Sequence, residues 1–168
     1  MPLICFVEYK VNKFKLSRDE VLHKMKNWCA YQERSQNEVR SKLYSFILQS
    51  EEADDIIAEL INENFLNEER FAIAFARGKF RIKLWGRNKI KIELKKHKIS
   101  DYSIAKAVYG INDEDYKATL LKVIEKKVRL TKYPNPTKKF YGLLNYCVSR
   151  GYESDLVIEQ LNVILKNI

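Results

Sequence analysis

The sequence predicts an all-α protein built from three tandem three-helix repeats in an elongated, gently curved array. Three observations point there. Glycine (5) and proline (3) are scarce in a chain of 168 residues, which argues against turn-rich β architectures. Hydrophobic residues make up 46% and recur at helical rather than alternating spacing. The pattern also repeats about every 50 residues: "NEVRSKL" (37–43), "NKIKIEL" (88–94) and "KKFYGLL" (138–144) align. They place apolar pairs at Val39/Leu43, Ile90/Leu94 and Phe140/Leu144, and a second set follows at Ile56/Leu60, Ile104/Val108 and Val157/Leu161. The expected organisation is an N-terminal arm (1–16), repeat 1 (17–66), a basic repeat 2 (67–111) and repeat 3 (112–168). A unit of this size buries little alone, so neighbours must cover one another.

Each element has a local reason. The arm alternates Val7, Tyr9 and Val11 with polar residues, but one strand cannot bury a face, so a weakly docked or disordered arm is expected. Val21, Leu22, Met25, Trp28 and Cys29 fall on one helical stripe. Ser35 opens "SQNE", a capping box with Glu38. Asn67 is a good N-cap before "EERFAIAFARGKFRIKL", whose two leading glutamates suit the positive end of the helix dipole. In that helix Phe71, Ala74, Phe75, Gly78 and Ile82 are expected inside, with Arg70, Ile73, Arg77, Phe80, Arg81 and Leu84 on the far side. Phe80 is expected to pack against a neighbouring repeat, and Gly78 to permit close helix approach. Trp85-Gly86 stops the helix, and Ser100 with Asp101 caps another. Tyr116, Leu120, Leu121, Ile124 and Val128 define the stripe of the third repeat's first helix. "YPNP" (133–136) then makes the joint.

The charge is unevenly placed. The protein has 31 Lys and Arg against 22 Asp and Glu, a net charge of +9. Residues 77–98 hold ten of those bases and a single acid, Glu93, leaving 21 bases and 21 acids elsewhere. The whole excess thus sits in one segment. Like charges this close repel, and a polyanionic or acidic partner would relieve them. Residues 51–69 are the counterpart, with eight acids and no base, and internal steering of repeat 1 against repeat 2 is the competing use.

Other chemistry has little support. There is no GxxxxGK[ST] or GxGxxG loop, and no Ser or Cys nucleophile has an evident base, so no enzyme and no catalytic residue is expected. Cys5, Cys29 and Cys147 are far apart, and His23 and His97 lack ligand-spaced partners, so neither metal nor cofactor is expected. The apolar start "LICFV" is too short for a signal-peptide core, and no run approaches a membrane span. A soluble, cytoplasmic protein that works as a monomer away from membranes is expected.

The stretch "NFLNEERFAIAFARGKFRIKLWGRNKIKIELKKHKIS" (64–100) resembles the RecX family, regulators of the bacterial RecA recombinase, in the form found among the Bacteroidetes. "CAYQERSQNEVRSKL" (29–43) resembles the family's first repeat. The similarity covers residues 17 to 168 and is weakest in the third repeat. It implies tandem three-helix repeats and a non-enzymatic protein. Such a protein binds RecA in the groove of the RecA–DNA filament and restrains its strand exchange, ATP turnover and co-protease activity in DNA repair and the SOS response. Single- or double-stranded DNA is a further partner that the resemblance allows, and a stand-alone nucleic-acid-binding module is the alternative. The basic residues Arg70, Arg77, Lys79, Arg81, Lys83, Arg87, Lys89, Lys91 and Lys95 are the candidate contacts. One departure concerns Lys98, where the family has Gly. A left-handed backbone there would cost lysine about 1 kcal/mol.

Overall fold

The computed structural model describes residues 16–46 and 50–166. The described residues form nine α-helices and no strand. In chain order they are α1 (Arg18–Tyr31), α2 (Gln36–Tyr44), α3 (Ser50–Asn62), α4 (Glu68–Lys83), α5 (Arg87–Lys96), α6 (Asp101–Tyr109), α7 (Asp113–Leu130), α8 (Pro136–Ser149) and α9 (Ser154–Lys166). The expected arm lies outside the described residues except for Leu16, which packs against the first core.

Side-chain caps set the helix starts. The Ser35 hydroxyl accepts from the Glu38 N–H at 3.1 Å, and the Glu38 carboxylate accepts from the Ser35 N–H at 2.9 Å. Ser17 and Glu20 build the same reciprocal pair at α1. Asn67 Oδ1 accepts from Arg70 N–H at 2.9 Å, and Asn112 and Asn135 cap α7 and α8 in the same manner. Each such cap contributes about 1 kcal/mol. Pro136 opens α8, where its missing N–H removes no helical bond. The last turn of α4 closes through Leu84, which adopts a left-handed conformation at φ 53°.

Two hydrophobic cores result. Val21, Leu22, Met25, Cys29, Val39, Leu43, Ala53, Ile56, Ile57, Leu60 and Leu66 form the first, within α1–α3 and the turn after it. The second runs continuously from Phe71 in α4 to Leu161 in α9. The later six helices therefore share one interior, whereas α1–α3 keep their own. Each buried Leu, Ile or Phe contributes about 1.5–3 kcal/mol.

Two expected stripes are corrected. In α4 the buried residues are Phe71, Ala72, Ala76 and Phe80, whereas Ile82 is 77% exposed and Ala74 is also exposed. Ala72 and Ala76 lie at helical spacing and are fully buried. Small side chains on an inner face allow close helix packing, an effect that weighing Phe and Ile by hydrophobicity misses. Gly78 is not at a close approach either, because a Cβ there would meet nothing within 4 Å. In α8 the fully buried pair is Leu143/Cys147, three residues beyond the Phe140/Leu144 pair, which is only partly buried.

The two joins between helix triplets differ in kind. Between α4–α6 and α7–α9 backbones touch: Gly86 N–H donates to Arg150 O at 2.9 Å and Asn88 N–H to Gly151 O at 3.0 Å. Tyr152 Oη donates to Leu84 O at 3.3 Å, and an Arg150 guanidinium N–H donates to Lys83 O. Phe80, Tyr116 and Tyr152 stack across the join, with centroids 5.9 and 5.2 Å apart. Between α1–α3 and α4–α6 the contacts are mostly polar. Arg70 Nε donates to Glu33 Oε1 at 2.6 Å, and Ser35 Oγ lies 3.3 Å from His97 Nδ1. The His97 ring meets Phe71 and Phe75 edge-on at 5.3 Å each.

Candidate interaction surface

The basic segment occupies α4, the turn after it and α5, and its cations serve three different purposes. Arg70 and Arg87 are consumed by the fold. Besides Glu33, Arg70 donates to Asn64 Oδ1 at 2.8 Å and to Asn64 O at 3.0 Å, tying the α3–α4 turn to the first triplet. Arg87 has only 14% of its side chain exposed. It donates to Asp113 Oδ1 at 2.5 Å and Ile111 O at 3.0 Å, with its guanidinium carbon 4.3 Å from the Tyr116 ring centroid. The hydrogen bond and charge of Arg87 hold the Asp113 carboxyl below its ordinary range.

Three lysines lie on aromatic rings. Lys79 Nζ is 4.9 Å from the Phe75 centroid and 5.3 Å from Trp85, and Lys89 Nζ is 4.8 Å from the same indole. Lys91 Nζ is 5.0 Å from Tyr109. Each contact contributes about 0.5–1 kcal/mol at an exposed site and fixes where the ammonium points. Lys95 reaches Asp101 at 3.3 Å, with both side chains largely in solvent, so that pair contributes little.

Arg77, Arg81 and Lys83 remain. All three are exposed, and none has a carboxylate partner among the described residues. The acids of residues 51–69 do not reach them. Glu59 and Glu63 pair with Arg18 and Lys26, and Asp54 with Arg40, inside the first triplet. Glu69 takes Lys106 at 2.6 Å, and Glu68 accepts from the Ser100 N–H at 3.2 Å. Internal steering thus operates within α1–α3 and along α6, and the solvent face of α4 keeps its positive charge.

Arg77 and Arg81 line an open groove of about 420 Å³, floored by Ile73, Phe80, Ala107 and Ile111. Lys83 and Lys79 edge a second groove of about 530 Å³ on the other side of α4, where Phe75 and Ile82 face Gln32 and Glu33 of the first triplet. Sequence reasoning missed these grooves because they lie between elements distant in the chain. It also missed the exposed tyrosines of α6, although Tyr102 and Tyr109 stand seven residues apart.

Cationic side chains beside open grooves with apolar floors give this surface the means to bind an anionic partner. Burial raises both described thiols, Cys29 and Cys147, to about 11, and neither is a nucleophile near neutral pH. No cluster of three or more His, Cys, Asp or Glu suited to a metal occurs among the described residues. No described helix is long and apolar enough to cross a membrane.

The nine described helices, in triplets with a cationic face on the middle one, define a helical-repeat protein that presents charge on a helical scaffold. The family model for the second three-helix domain of RecX matches residues 67–108, which are α4–α6. Regulatory protein RecX of Clostridium perfringens strain 13 is 29% identical over 124 residues, covering 73% of this chain and 58% of the relative. Regulatory protein RecX of Prosthecochloris aestuarii is 25% identical over 148 residues, covering 88% of this chain and 95% of the relative. The crystal structure of RecX from Lactobacillus salivarius superposes with a TM-score of 0.79 at 21% identity, covering 90% of this chain and 97% of that one. The chain is similar to the RecX family of regulatory proteins in sequence, over α4–α6 above all, and in fold. It spans 58% of the length of the clostridial relatives it matches.

Proposed function

We propose that this protein binds the RecA recombinase in the groove of its filament on DNA and restrains ATP turnover, strand exchange and co-protease activity. The observation that carries the reading is the exposed, unpaired set Arg77, Arg81 and Lys83 on α4. A filament groove offers DNA phosphates and acidic protein surface, and long cationic side chains on a helical scaffold reach both. Lys79, Lys89, Lys91 and Lys95 flank this set, whereas Arg70 and Arg87 support it from within. By bridging neighbouring subunits the protein favours one filament geometry over those that turnover requires.

The test is RecA ATPase activity on single-stranded DNA, titrated with this protein at two salt concentrations. Inhibition is expected and should weaken with salt. Where about five phosphates are neutralised, log K falls with log salt at a slope of about −4. Arg77→Glu with Arg81→Glu should abolish most of the inhibition while leaving the thermal melt unchanged. Absence of inhibition at either salt, or full inhibition by the double variant, refutes this reading.

A further inference from the structure

We propose that the solvent face of α6 is a base-stacking platform for single-stranded nucleic acid, with Tyr102 and Tyr109 as its two rings. Tyr102 is 71% and Tyr109 68% exposed. They stand seven residues apart, on one face of the helix and about 10 Å along its axis. That is about three steps of a stacked strand at 3.4 Å each. Lys106, at the fourth position from Tyr102, completes the same face.

Cations lie on both flanks of α6. Lys91 Nζ lies 5.0 Å from the Tyr109 centroid and has no carboxylate partner among the described residues. On the other flank Lys106 lines the groove that Arg77 and Arg81 also line. Lys106 is held at 2.6 Å by Glu69, so it adds position more than free charge. Unpaired Arg77 and Arg81 on one side and Lys91 on the other therefore leave a path for a phosphate backbone beside two open aromatic rings. Each ring leaves most of its surface to solvent. A nucleobase would cover it, and every base offers a π face whatever its identity. The bases of a duplex already stack on their neighbours, so the rings select an unpaired strand.

The proposal concerns the free protein and does not depend on RecA, so its failure and that of the filament reading are separable. The experiment measures fluorescence anisotropy of labelled oligo(dT), about 20 nucleotides long, with the full chain. An abasic oligodeoxynucleotide of equal length is run alongside. The wild type should prefer oligo(dT) over the abasic strand. Each of Tyr102→Ala and Tyr109→Ala should lower oligo(dT) affinity at least about fivefold, the lower end of the range for one stacked base. Abasic binding should stay unchanged, and Tyr102→Phe with Tyr109→Phe should bind as the wild type does. Equal wild-type affinity for the two strands overturns the proposal without reference to any variant. So does an alanine variant that keeps oligo(dT) binding, or one that loses both strands equally while its circular dichroism is native.

Discussion

Gly86 and Gly151 lie backbone to backbone across the join between α4–α6 and α7–α9. A Cβ on Gly86 would sit 2.2 Å from the Gly151 carbonyl carbon. Gly151 itself has φ +95°, and a Cβ there would sit 2.4 Å from Lys89 Cβ. The two backbone hydrogen bonds beside them, from Gly86 to Arg150 and from Asn88 to Gly151, require this approach. Either Gly86→Ala or Gly151→Ala should therefore cost about 3 kcal/mol or more, measured by urea denaturation. A loss under about 1 kcal/mol would show that the join can slide apart cheaply.

Tyr116 makes the same join sensitive to alkali. Its hydroxyl accepts from Arg87 N–H at 2.9 Å and donates to Glu153 Oε2 at 2.7 Å. Burial pushes its phenol far above the ordinary value of 10.0. The folded state thus keeps a proton that the unfolded chain releases above pH 10, and stability present below that pH falls as pH rises further. Tyr152, also raised by burial, adds to the effect. Tyr116→Phe should cost about 1–3 kcal/mol at pH 7, because it leaves a backbone N–H and a carboxylate short of partners. It should also flatten the decline above pH 10 by Tyr116's share. An unchanged alkaline slope would assign the loss elsewhere.

Gly78 offers a gain. It lies inside α4, and a Cβ would enter open space. Gly78→Ala should stabilise the protein by about 1 kcal/mol through helix propensity alone. For a chain of this size that is a rise of about 3 °C in Tm. No gain, or a loss, would mean that this position is constrained by something other than helix formation.

Lys98 offers another. Its φ of 59° places it in the left-handed region, in the turn where α5 gives way to α6. Glycine adopts that conformation without the Cβ clash, so Lys98→Gly should stabilise by about 1 kcal/mol. The lysine side chain is exposed, so binding should change little. A destabilised variant would show that the side chain contributes more than its backbone costs.

The legible part of this protein was its local chemistry. The Ser35–Glu38 capping box, the Asn67 and Ser100 caps and the buried pairs Val39/Leu43, Ile56/Leu60, Ile90/Leu94, Ile104/Val108 and Val157/Leu161 all follow from neighbours three or four residues apart. The inner face of α4 did not follow. Phe75 and Ile82 are more hydrophobic than Ala72 and Ala76, yet the alanines are the fully buried ones, because the face that meets the rest of the fold is set by helix packing and not by the hydrophobicity of single residues. In α8 a three-residue shift separates the pair that the repeat pattern marks, Phe140/Leu144, from the fully buried pair Leu143/Cys147.

The fate of each cation was likewise settled by partners far along the chain. Arg70 meets Glu33 from 37 residues away and Arg87 meets Asp113 from 26, whereas Arg77 and Arg81 meet no carboxylate among the described residues. By itself the sequence determined the helices, their order in triplets and the segment that carries the excess charge, because capping, periodicity and charge density are short-range properties. Only the tertiary structure decided which triplets share a core, which face of α4 is buried and which basic groups stay free. Those outcomes depend on side-chain size and charge meeting across positions that the chain itself does not place side by side.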